Sequence, residues 1–102
     1  MPIRHIVLFK FENFNQEKER KVENAFNSLK DLPPLRISNF GFGRTFTERG
    51  QGYTHVLTLD LESKEALKEY SSNAKHIAVI NDYIKPNLEA GSSPLAMDIE
   101  VE

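Results

Sequence analysis

Ile3, His5, Val7, Phe9 and Phe11 take every second position of the opening segment, with Arg4, Ile6, Leu8, Lys10 and Glu12 between them. In a strand, a period of two sends neighbouring side chains to opposite faces, so one face here is apolar except for a histidine. The other face keeps two large aliphatics, Ile6 and Leu8, at its centre. A face turned to solvent needs neither, so the segment reads as a central strand. The same period returns over residues 53–62, where Tyr53, His55, Leu57, Leu59 and Leu61 alternate with Thr54, Val56, Thr58, Asp60 and Glu62. It returns again over residues 95–102, with Leu95, Met97, Ile99 and Val101 against Ala96, Asp98, Glu100 and Glu102.

Helical spacing fills the intervals. Asn15 offers an N-cap with Glu17 in the first turn, and Val22, Ala25, Phe26, Leu29 and Leu32 follow as one apolar stripe. Pro33-Pro34 is expected to end that helix, because neither residue donates a backbone hydrogen bond. A second strand is expected over residues 36–46, with Phe40, Phe42 and Phe46 on one face and Gly41 and Gly43 marking a bulge or close approach. Residues 47–52 read as a polar hairpin loop. Ser63 caps a further helix through Ala66, Leu67 and Tyr70, which Ser71-Ser72-Asn73 interrupts. The spacing resumes over residues 74–88 through Ile77, Ile80 and Ile84, with Pro86 kinking or ending it near Lys85.

The order β-α-β-β-α-β predicts an α+β, ferredoxin-like fold: an antiparallel sheet with both helices on one face. In that arrangement the first and third strands are adjacent at the centre, which is expected to set His5 and His55 beside each other on the helix-covered face. The opposite face is expected to carry Ile6, Leu8, Val56, Phe40 and Phe42. It is too apolar to leave in water, so a sheet-to-sheet homodimer is expected.

With 102 residues, the chain has length for one domain, 1–102, and not for two. It has no cysteine, which excludes a thiolate nucleophile, a disulfide scaffold and Cys-ligated metal. A net charge of −2 leaves no surplus to neutralise phosphates, so nucleic acid is not an expected partner. The longest apolar run, residues 6–9, is far below the ~20 residues that span a bilayer, and residues 1–5 do not resemble a signal peptide. A soluble cytoplasmic protein without a membrane partner is expected.

The three histidines, at 5, 55 and 76, are the residues that can do chemistry near neutral pH. Tyr70 precedes His76 by six residues across the Ser-Ser-Asn break. A neutral imidazole beside a phenol in a partly apolar site can remove a proton from an activated carbon or hydroxyl, while the phenol donates to the developing oxyanion. Two inward histidines can equally be hydrogen-bonded core residues. Neither His-x₃-His nor His-Glu-x₂-His spacing occurs, so no metal or cofactor is expected. The mixed cluster Lys18-Glu19-Arg20-Lys21 reads as a solvated helix face.

The opening Ile3-Arg4-His5-Ile6-Val7-Leu8-Phe9-Lys10-Phe11, the segment Gly52-Tyr53-Thr54-His55, and the run Leu61-Glu62-Ser63-Lys64-Glu65-Ala66-Leu67-Lys68-Glu69-Tyr70 together resemble the stress-responsive α/β-barrel (Dabb) family. The resemblance extends over essentially the whole chain and implies a homodimeric α+β barrel. A plant polyketide cyclase of that family uses a tyrosine and a histidine six residues apart, with inward histidines on the first and third strands. By that resemblance His76 is the candidate general base and Tyr70 the residue that holds the substrate oxygen. His5, His55, Val7, Phe26 and Leu57 would line the pocket. The implied chemistry is cofactor-free cyclase, aldol or isomerase-type turnover of a small apolar or aromatic carbonyl compound. The alternative is a non-catalytic stress-response dimer, with or without a bound apolar ligand. Family members commonly read Tyr-x-x-His-Pro-x-His, whereas Asn73-Ala74 replaces the His-Pro pair here, which alters the turn that aims His76.

Overall fold

A computed structural model describes residues 1–32 and 35–102. Its elements are β1 (Ile3–Phe9), α1 (Gln16–Asn27), β2 (Ser38–Arg44), β3 (His55–Leu61), α2 (Lys64–Ser72), α3 (Ala74–Val79) and β4 (Leu95–Glu100). The strands form one antiparallel sheet in the order β2-β3-β1-β4. This is the ferredoxin-like α+β arrangement, with β1 and β3 at the centre as their alternation requires. The expected termination at Pro33-Pro34 lies outside the described residues; α1 itself passes into a short 3₁₀ turn over Ser28–Asp31.

Local chemistry sets the helix ends. Asn15 Oδ1 accepts from the Lys18 N–H at 2.8 Å, and Ser63 Oγ accepts from the Ala66 N–H at 3.1 Å. Asn73 does two jobs: its extended backbone stops α2, and its side chain accepts from the Lys75 N–H at 2.8 Å to start α3. Pro86 cannot donate to the carbonyl four residues earlier, and the helix widens ahead of it into a π turn over Ile80–Ile84 before a final 3₁₀ turn.

The core lies between helices and sheet. Val7, Phe9, Leu57, Leu59 and Leu61 face Val22, Phe26 and Leu29 of the first helical segment and Tyr70, Val79 and Ile84 of the later ones. Phe42 also joins this side, stacked on His55 at 5.5 Å and near Phe26 at 6.2 Å, and Phe40 packs against the same core. The expectation that both phenylalanines lie on the open face is therefore wrong. The pairing of Phe42 with the inward Leu57 decides the matter, and that register follows a one-residue bulge between Ser38 and Gly41. Gly41 is where the bulged strand comes close: a Cβ there would stand 2.9 Å from Thr58 Oγ1. Phe46 lies beyond the end of β2 and is 95% exposed, so it shares no face with them.

The open face instead gathers Ile6, Leu8 and Val56 with Leu95, Met97 and Ile99 of β4, which pair with Leu8, Ile6 and Arg4. The three β4 side chains are between 42% and 49% exposed. Asp60, buried on this face, accepts from Arg4 Nε at 2.9 Å, Arg4 Nη2 at 3.1 Å and Asn39 Nδ2 at 2.8 Å. The bidentate Arg4 contact holds its carboxyl below the usual range.

Glu19 ties α1 to the sheet. Its Oε2 accepts from His55 Nε2 at 2.6 Å and from Arg44 Nη2 at 2.9 Å. It is thus more than part of a solvated helix face. The His55 hydrogen bond is the largest cause of its lowered pKa, outweighing the burial that opposes it. A carboxyl lowered on folding stabilises the fold at pH values above its ordinary pKa of 4.5, and that contribution disappears as pH falls through the lowered value. Glu19→Gln should cost about 1–3 kcal/mol near neutral pH. In denaturant titrations at pH 7 and pH 3, the gap between wild type and variant should narrow at the lower pH.

Candidate functional site

A cavity of about 220 Å³ opens between the helices and the β1–β4 side of the sheet. Three strands, three helices and the turn that follows the last of them build it. β1 contributes His5, Val7 and Phe9, and β3 contributes Leu57. Phe26 comes from α1, Ser71 and His76 from either side of the Asn73 break, and Ile80, Pro94 and Ala96 complete the lining. Phe9, Phe26 and Leu57 are fully buried and make the floor, while Ser71 and Ala96 are exposed and mark the mouth. The polar groups, His5, Ser71 and His76, stand against walls that are otherwise apolar.

Each polar group has a distinct environment. His5 Nδ1 donates to Asp98 Oδ1 at 2.6 Å, because a carboxylate can only accept. That pairing keeps the proton on Nδ1, makes Nε2 the free ring nitrogen, and fixes the ring's orientation. Tyr70 is 0% exposed and packs against both histidines, with ring centroids 4.3 Å from His76 and 5.7 Å from His5. Its hydroxyl and His76 Nδ1 are both buried with no hydrogen-bond partner among the described residues. Burial pushes the Tyr70 phenol upward, so it is a donor throughout the working pH range. Burial also lowers the pKa of His76, with the Ser71 backbone opposing and the charge of His5 assisting. The imidazole is accordingly neutral and basic at neutral pH.

Of the residues singled out from the sequence, His76, His5, Val7, Phe26 and Leu57 line this one cavity. Tyr70 touches it only through the two imidazoles and is not itself a lining residue. His55 does not belong to it. Although His5 and His55 share the helix-covered face, His5 pairs with Leu59 and His55 with Phe9. Four positions separate them along the strands, about 13 Å at ~3.3 Å per residue. The expectation that they sit side by side is corrected by this register. His55 is enclosed by Phe11, Phe14 and Phe42 and held through Nδ1 at 2.9 Å from Thr54 Oγ1 and through Nε2 by Glu19.

Two charged partners of these histidines were not identified from the sequence. Asp98 could be placed on the Ala96/Asp98/Glu100 side of its strand, but only the pairing of β4 with β1 sets it opposite His5. Glu19 gave no local signal at all, since its partner is 36 residues away.

The chain's sequence matches the Stress responsive A/B Barrel Domain over residues 3–101. It is 30% identical over 78 residues to the Arabidopsis thaliana stress-response A/B barrel domain-containing protein HS1, covering 74% of this chain and 72% of that protein. Over 79 residues it is 24% identical to olivetolic acid cyclase from Cannabis sativa, covering 76% and 78%. Among solved structures, a dimeric ferredoxin-like protein of unknown function from Thermobifida fusca superposes with a TM-score of 0.77 at 24% identity, covering 99% of this chain and 92% of that one. Hydroxynitrile lyase from Passiflora edulis superposes with a TM-score of 0.81 at 14% identity, covering 99% and 94%, and so shares the fold. The central strands, the helix-covered cavity and these matches agree, and the chain belongs to the stress-responsive A/B barrel domain family.

Proposed function

We propose that this protein catalyses a cofactor-free proton transfer on a small carbonyl compound, of the cyclase, aldol or isomerase type. The observation that carries the reading is the pair of unpartnered buried groups, His76 Nδ1 and the Tyr70 hydroxyl, whose rings pack together with His76 in the cavity lining and Tyr70 directly behind it. A buried polar group without a partner is unfavourable in a resting fold, and such groups concentrate where a ligand supplies the missing bond. In this reading His76 is the general base that removes a proton next to a carbonyl. Tyr70 is the donor to the oxyanion that forms, and the His5–Asp98 pair holds a second imidazole in fixed orientation beside it. The similarity to a plant protein named as a cyclase supports the cyclase-type reading of the reaction.

The working unit in this proposal is a homodimer. The open sheet face, with Ile6, Leu8, Val56, Leu95, Met97 and Ile99, is a contiguous apolar surface, and the Thermobifida fusca relative is described as dimeric.

Solvent exchange tests the chemistry. In D₂O, the wild-type protein should accelerate deuterium uptake at the α-carbon of acetophenone, followed by NMR. His76→Ala should lose about 10²–10⁴-fold of that acceleration. A base must be unprotonated, so the rate should be level at neutral pH and fall only below the ordinary imidazole value of 6.5, through the lowered value of His76. An exchange rate unchanged in His76→Ala would sink the assignment. Tyr70→Phe separates catalysis from packing: the rate should drop about 10²-fold or more, while stability holds or rises because an unpartnered hydroxyl is removed. For the dimer, sedimentation equilibrium should give twice the chain mass, and Met97→Lys should shift the population to monomer by placing a charge in the apolar face.

A further inference from the structure

We propose that the cavity selects compact, uncharged carbonyl compounds of about one ring, bound with the ring against Phe26 and Leu57 and the oxygen toward His76, and that it rejects carboxylates. This rests on the reading of His76 as the group that meets the substrate. It adds the substrate's charge, size and orientation.

Charge is decided by what the lining lacks and by what stands next to it. None of the ten residues around the cavity is Lys, Arg, Asp or Glu. A carboxylate buried there would leave water without meeting a lysine or arginine, and the His5 imidazole already serves Asp98, a cost that neutral carbonyls escape. The charged group closest by contact is Asp98, which binds His5 and repels an incoming anion.

Size and orientation follow from the shape. An apolar cavity of about 150 Å³ holds a benzene molecule, so 220 Å³ takes one ring with a short substituent. The polar side chains His76 and Ser71 lie toward the mouth, and Phe9, Phe26 and Leu57 close the floor. A carbonyl must therefore point outward and the ring inward. Bulk placed on the ring opposite the carbonyl meets the floor.

Three probes matched in shape test this at pH 7: acetophenone, benzoate, which replaces the methyl by a charged oxygen, and 4-tert-butylacetophenone. Binding is read from the imidazole proton shifts of His76 in NMR titrations of the wild-type protein. Acetophenone should move the His76 signals saturably. Benzoate and the tert-butyl compound should each bind at least about tenfold more weakly. Phe26→Leu, which trims the floor, should recover binding of the tert-butyl compound. Equal or tighter binding of benzoate would overturn the charge rule. Equal binding of the tert-butyl compound would overturn the size and orientation. Absence of any acetophenone response up to its solubility would overturn both. Selective binding without deuterium exchange leaves this inference standing and removes the catalytic one. Exchange accompanied by unselective binding does the reverse.

Discussion

The pairing of β1 with β3 governs the rest of the molecule. Seven consecutive cross-strand pairs, from Ile3 with Leu61 to Phe9 with His55, lock the two central strands together. Because side chains alternate with period two, a slip of one residue would turn Ile6 and Leu8 into the core and His5 out of it. Arg4 and Asp60 are one of these pairs, and their bidentate contact on the open face gives that register an electrostatic pin in addition to its apolar one. Once the register is set, Val7 and Leu57 come together as part of the cavity lining, and β4, pairing on the other side of β1, sets Asp98 opposite His5.

Buried polar groups in this fold divide into two kinds. His5, His55 and Asp60 are each buried and each satisfied: by Asp98, by Glu19 with Thr54, and by Arg4 with Asn39. These contacts join distant elements, and His55 with Glu19 fastens α1 to the sheet outside the cavity lining. Tyr70 and His76 are the other kind, carrying buried polar atoms with no partner among the described residues. A small domain has little stability to spare, so unsatisfied groups confined to one place are best understood through what they can bind. The two kinds meet at the cavity, where satisfied His5 and unsatisfied His76 share one lining, while Asp60 lies on the open face of the sheet.

The break that presents His76 depends on a single side chain. Asn73 has the extended backbone that ends α2 and the carbonyl oxygen that starts α3. In place of the His-Pro pair common in the family, a capping asparagine makes the turn, and His76 still reaches the cavity. The π turn ahead of Pro86 then holds Ile80 in the wall, so a backbone constraint beyond the cavity shapes its lining.

Much of this was legible in the residues. Period-two alternation identified β1, β3 and β4, capping chemistry placed Asn15 and Ser63, and the inward position of His5 followed from its neighbours. The six-residue spacing of Tyr70 and His76 across a helix break singled out the two groups that prove to be in contact. These features are local, determined by bond geometry and by which neighbours can be buried together. Other features were decided only by tertiary structure: the inward turn of Phe40 and Phe42, the exposure of Phe46, the separation of His55 from His5, and the arrival of Glu19 and Asp98 beside their histidines. Alternation assigns a residue to one of two faces without saying what lies across from it. That depends on register, on a bulge at Asn39 and on where a helix lands, and all three are settled by packing between segments far apart in the chain.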